Sequence, residues 1–448
     1  MTLRSLSAVT LLLTTALTLS GCSTIGDLFG GNDDDVVVEG ERVSIIAADQ
    51  DLTPDTGLAA TTVELPAPIG NAEWPQPGDS PANKIEHLQA TGPLRTLWAV
   101  PSGKGSDDES LVTVSPIVAD GLVYTMDSES HVFAFDANTG ARIWDRNLAP
   151  EDEDEPERAF GGGVAFDGGR VYAASGFGAV KALDAKTGRD IWTAEMGAPV
   201  RAAPVVSDAR VYIITQENKL RVLNAADGAL LWEHQGIVEP AGIASSSNVA
   251  VAGDTVIVPY SSGELFALRV DNGVPYWTDQ LTRTGNVTAL TVINDIAGRP
   301  VIDRDMVFAA SHSGTLVAIN LRTGGRAWTR NVGSIQSPLP IGDFVFMVST
   351  EGQVLCFTRT DGRLKWSTQL PAFVDPDDRE DAIVWSGPLV VNNRLLLFSS
   401  DGRAVSLLPA TGQIVNQIAI PSGTFVPPIM ANSTMYLLTN QAQLVALR

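Results

Sequence analysis

Asp184-Ala185-Lys186-Thr187-Gly188-Arg189-Asp190-Ile191-Trp192 is a turn that hands the chain from one strand to the next. Gly188 supplies the positive φ that β-branched residues resist. An apolar residue, Leu183, precedes it by five positions, and Trp192 follows it by four. The same spacing returns at Phe135/Gly140/Trp144, Leu223/Gly228/Trp232, Leu268/Gly273/Trp277, Ile319/Gly324/Trp328 and Phe357/Gly362/Trp366. A seventh copy, Leu407/Gly412, has Asn416 in the tryptophan's place. An eighth stops at Leu444-Val445-Ala446-Leu447-Arg448, and its missing tail lies near the other end, at Trp98. A repeat begun at one terminus and finished at the other describes a closed ring.

Each unit reads as four short strands. In the first, Ile117-Val118, Leu122–Met126 and His131–Phe135 are separated by turn residues, and Arg142-Ile143-Trp144 opens the fourth. The predicted fold is all-β, an eight-bladed β-propeller of four-stranded antiparallel blades over 94–448. Its ring closes by pairing the N-terminal strand with the C-terminal strands, which removes both open edges. One tryptophan per blade is expected to pack across to the next blade. Insertions must fall in connections, because the strands cannot stretch. The long connections are Leu148–Gly163, Gly236–Asn248, Thr282–Pro300 and Pro371–Gly387.

Upstream of the ring the composition changes. Residues 1–21 read as a secretory signal peptide: Arg4, then an apolar stretch too short to span a bilayer. Leu19-Ser20-Gly21-Cys22 resembles a bacterial lipobox, which implies cleavage before Cys22 and its acylation. Several acyl chains suffice for stable anchoring. Ser23 after the cysteine points to the outer membrane. Residues 22–93 read as an acidic, Pro- and Gly-containing tether, mostly irregular. The net charge of −22 argues against nucleic acid as a partner. Cys356 stands where other repeats have Ala134, Ala182 and Ala267, and is expected to be a small buried side chain.

The Gly188 unit resembles the repeat of the pyrroloquinoline-quinone (PQQ) propeller family, over all blades. Quinoprotein dehydrogenases and non-enzymatic scaffolds share that repeat. The dehydrogenases hold quinone and calcium beside a catalytic Asp, and many have a vicinal cysteine pair. This chain has no Cys-Cys, no Gly-x-Ser-x-Gly elbow and no phosphate loop. His87, His131, His234 and His312 stand apart from any second ligand at metal spacing. A calcium site at Asp375, Asp377 and Asp381 stays open against a solvated acidic loop. The expectation is therefore no catalytic residue, cofactor or metal.

With signal and lipobox added, the chain resembles the BamB family, the lipoprotein subunits of the outer-membrane β-barrel assembly (Bam) machinery. The resemblance implies a scaffold, lipid-anchored in the outer membrane and facing the periplasm. Its implied partners are the POTRA domains of BamA, other Bam subunits and nascent outer-membrane proteins. The family's BamA contact lies on two connections, here Gly236–Asn248 and Thr282–Pro300. That implies Ile237 and Val238 as apolar anchors, with Glu239, Asp295 and Arg299 as charged contacts. Asp295 matches the first of the family's two acidic residues, and Ala297 stands at the second. The alternative is a periplasmic PQQ-type quinoprotein or ligand-binding propeller.

Overall fold

The computed structural model describes residues 52–92, 94–107, 110–150, 161–239, 247–282 and 294–448. The leader, Cys22 and the first part of the expected tether lie outside them. Eight four-stranded antiparallel sheets follow one another, with the strands of each in simple meander order. Blade 1 is Ile117–Ala119, Leu122–Met126, His131–Asp136 and Arg142–Asn147, from inner to outer. Blade 8 combines Ile429–Ala431, Thr434–Leu438 and Gln443–Leu447 with Thr96–Pro101 from the other end of the chain. Trp98 pairs Ala446 and Val100 pairs Leu444, so the ring closes as the repeat requires.

The tryptophans serve the expected purpose. Trp144 lies over Gly188 of the next blade, so close that a Cβ there would sit 2.7 Å from its ring. Gly188 also has φ +65°, so both space and conformation demand glycine. The Trp144 indole donates to the Ala185 carbonyl at 2.9 Å, and Trp192, Trp232, Trp277, Trp328 and Trp366 donate likewise one blade on. Asn416 is the exception, and its cause is the ring closure. In blade 8 the third and fourth strands, Gln443–Leu447 and Thr96–Pro101, are not consecutive and no turn joins them, so blade 7 has no glycine to cover.

The residue before each tryptophan is the extra residue of a β-bulge. Trp144 pairs Ala134 while Arg142 pairs Phe135, which leaves Ile143 unpaired and turned outward. Ile191, Leu231, Tyr276, Val415 and Leu97 are exposed at the same position. Such bulges bend the outer edge away from further pairing. Cys356 is buried, as expected, and burial pushes its thiol pKa up.

Residues 52–92 correct the expected domain boundary. They contain one 3-10 turn, Thr56–Leu58, yet they are built into the ring instead of hanging from it. Lys365 donates to the carbonyls of Leu58 and Thr61, seating the segment on blade 6. It then circles the inner strands in ring order. The Asn71 amide donates to Met430 of blade 8. Trp74 exchanges both backbone bonds with Val118 of blade 1. Phe166 of blade 2 donates to Pro75, and Val206 of blade 3 exchanges two bonds with the Gln76 amide. Val251 and Ile302 of blades 4 and 5 donate to Pro81 and Ala82, and Leu88 donates to Val390 of blade 7. At the equivalent position blade 6 carries Pro340, which has no N–H to satisfy. This inner collar satisfies the one row of strand edges that ring closure leaves open. Trp74, 1% exposed, and Leu88 join the apolar cluster of blades 6, 7, 8 and 1.

Candidate functional site

In each blade the turns between first and second and between third and fourth strands lie at one end. The connections to the next blade lie at the other. The two connections singled out from sequence leave blades 3 and 4 from that same end, and they differ in structure.

The first presents a knob. Gly236 packs under Tyr260, where a Cβ would come within 2.5 Å of the ring. Its N–H donates to the Asn218 carbonyl at 2.8 Å. The Ile237 N–H donates to Glu264 Oε2 at 2.7 Å, and its carbonyl accepts from Asn218 Nδ2 at 2.6 Å. Asn218 is itself tied to Ser261. With the Ile237 backbone held from both sides, the Ile237 and Val238 side chains stand 57% and 60% exposed, and Glu239 is exposed beside them. Beneath lies an aromatic cluster. His234 Nδ1 meets the Tyr260 hydroxyl at 2.9 Å and the rings stack, with Phe266 edge-on. Burial lowers the His234 pKa against the opposing pull of Glu264. His234 thus belongs to the packing under the knob.

The described end of the second connection is buried over residues 295–300. Asp295 is 0% exposed and ion-pairs with Arg201, which comes from the start of blade 3. Its carbonyl accepts from the His312 N–H at 2.8 Å. Arg299 is 5% exposed, and burial pushes its pKa down to about 10. Neither is the exposed loop charge that the sequence reading expects. The residues just before an inner strand descend into the channel, so their charges face other blades. Of the five expected contacts, Ile237, Val238 and Glu239 form one surface, and Asp295 and Arg299 are not part of it. Residues 240–246 and 283–293 of the two connections lie outside the described residues.

The fourth long connection also departs from the expected loop. Phe373–Asp375 pairs with Glu380–Ala382 as an exposed hairpin. Asp375 Oδ1 accepts from the N–H groups of Asp377 and Asp378, closing its tip. Among the described residues no three His, Cys, Asp or Glu side chains gather as a metal site. The hairpin overhangs a cleft of about 520 Å³ lined by Phe373, Arg379, Ile383, Trp385, Glu351 and His312. Sequence reasoning missed Asn218, Glu264 and Arg201. The one signal for Asn218 is its place in a tight turn, where it adopts φ +56°.

The profile of the outer membrane protein assembly factor BamB matches residues 128–368, more than half of the chain. That of the glucose/ethanol/alcohol dehydrogenase β-propeller domain matches residues 80–168. BamB of Yersinia pestis is 26% identical over 385 residues, covering 85% of this chain and 95% of the relative. BamB of Salmonella typhimurium is 28% identical over 345 residues, covering 76% and 86%. Among solved structures, BamB from Moraxella catarrhalis superposes with a TM-score of 0.66 at 19% identity, covering 80% of this chain and 100% of that one. Quinohemoprotein alcohol dehydrogenase from Comamonas testosteroni reaches 0.67 at 15%, covering 84% and 80%. At such identities the structural likeness speaks to the fold alone.

Proposed function

This chain belongs to the family of the outer membrane protein assembly factor BamB, and from that premise we propose that it is a non-enzymatic scaffold of the Bam machinery. It is anchored in the outer membrane through Cys22, faces the periplasm and binds the POTRA domains of BamA. By holding BamA beside nascent chains it aids folding and insertion of barrel proteins.

The observation that carries this reading is the knob. Ile237 and Val238 expose two large apolar side chains, side by side, on a chain of net charge −22. The Ile237 backbone is fixed on both sides by Asn218 and Glu264, so less ordering entropy remains to be lost on binding. An apolar pair that enters a partner's pocket, with Glu239 at its rim facing a basic group, is a binding hot spot in form. The test is capture of purified BamA POTRA domains. Changing Ile237 and Val238 together to Glu should weaken capture at least tenfold with the melting temperature unchanged. Undiminished capture by that folded variant overturns the knob as the contact.

The dehydrogenase-profile match favours one second reading, a quinone-binding propeller. It requires that added quinone with calcium raise the melting temperature, since a ligand bound only by the folded state stabilises it.

A further inference from the structure

Among the described residues, Arg299 is a nearly buried charge without a counter-charge. It sits two residues before the inner strand Val301–Asp303 of blade 5, with its side chain inside the channel. Its Nε has no hydrogen-bond partner, and no carboxylate pairs with it among the described residues. The other channel arginine, Arg201, has Asp295. A buried cation without a counter-charge is strongly unfavourable, and proteins remove that cost by pairing or by binding an ion.

The surroundings have room for such an ion. Arg299 borders a small pocket of about 20 Å³, open on one side and lined by Asn83 and Ile85 of the collar, Gln336 and Ser337 of blade 6, Gly387 of blade 7 and Pro427 of blade 8. That volume admits one particle of about water size. The position equivalent to Arg299 is Ser115, Ser337 and Gly387 in blades 1, 6 and 7. In blade 4 it is Asn248, whose two amide atoms are also buried without partners among the described residues. Asn248 and Arg299 stand side by side. Ser247 Oγ donates to the Gly298 carbonyl one residue earlier, and Asn83 bridges the carbonyls of Val249 and Pro300 one residue later.

We propose that the channel holds one small monovalent anion, of chloride size, against the Arg299 guanidinium. A water molecule fits the space but leaves the charge uncompensated. The anion would tie the collar to blades 5, 6 and 7, because the pocket is lined by all of them. It is a structural ion, independent of the proposed partner contact.

The test uses the mature protein, with bromide and chloride as probes. At fixed ionic strength, replacing gluconate by chloride or bromide should raise the melting temperature by several degrees and saturate. A bromide-soaked crystal should show one anomalous peak within hydrogen-bond distance of Arg299. Arg299→Gln should remove the halide dependence while staying folded in gluconate. If that variant does not fold, the wild-type bromide peak alone decides. No peak at Arg299, or a halide response unchanged in Arg299→Gln, overturns the proposal.

Discussion

At the rim of the ring, seven tryptophans each meet the glycine of the next blade's turn, and one contact is made seven times. In the channel, the contacts do not repeat: Asn71, Trp74, Pro75, Gln76, Pro81, Ala82 and Leu88 each answer a different inner strand, and Asn83 bridges blades 4 and 5. The rim couples neighbours only, as repeat architectures do. The collar couples all blades through one short piece of chain. Damage at the rim should therefore stay local, and damage in the channel should spread.

The sharpest contrast lies between the two connections. Asp295→Arg places a second cation against Arg201 in a site with no exposure. Removing one partner of a buried pair costs about 3–5 kcal/mol, and added like-charge repulsion puts this substitution at the upper end of that range or beyond. Glu239→Arg, on the exposed connection, should change stability by no more than about 0.5 kcal/mol. Urea denaturation of the two variants decides the matter. Equal midpoints would mean that Asp295 is not the buried latch between blades 3 and 5.

Trp74→Ala should follow at about 3–4 kcal/mol, the cost of emptying a fully buried aromatic site. Trp144→Ala at the rim removes a similar volume and one hydrogen bond. Hydrogen exchange separates them. Trp144→Ala should speed exchange in blades 1 and 2. Trp74→Ala should also expose the N–H groups of Phe166, Val251 and Ile302, which donate to Pro75, Pro81 and Ala82. Exchange that rises only at Val118 would show that the collar does not act as a unit.

The same division governs what sequence could reveal. The rim was legible because it repeats. Gly140 to Gly412 and Trp98 to Trp366 fix blade count, strand order and closure from spacing alone. The connection that carries the exposed pair Ile237-Val238 was legible because it interrupts the repeat, while the pair itself was named from the family resemblance. The collar was not, because its residues pair with backbone and leave no periodicity. Asn71, Gln76 and Asn83 bond to carbonyls and N–H groups that any sequence possesses. Its one visible mark was Trp74, a tryptophan outside the repeat in a stretch otherwise read as tether. Asp295 and Arg299 misled for a related reason. A charged residue between strands usually meets water, and the burial of residues 295–300 just before the inner strand reverses the rule.

The smallest effect is a slope. Asp79 sits in a collar turn at φ +67°, and burial, reinforced by Glu86, raises its pKa from 3.8 to about 7. Lys84 is engaged by Glu86 and by Asp303 of blade 5. The folded state therefore binds more protons than the unfolded state between about pH 4 and pH 7, and stability must fall as pH rises through that window. Below pH 3.8 the contribution is fully present, and above the folded value it is gone. Self-repulsion of the acidic chain also varies with pH, so the useful quantity is a difference. Asp79→Asn keeps a side chain that tolerates left-handed backbone and cannot ionise. The drop in melting temperature from pH 5 to pH 8 should be smaller in that variant than in the wild type. The effect should be concentrated in exchange of the collar-bonded N–H groups, with the rim unchanged. An identical drop in both proteins would mean that Asp79 titrates as an ordinary surface carboxylate and that the collar holds no charge against its will.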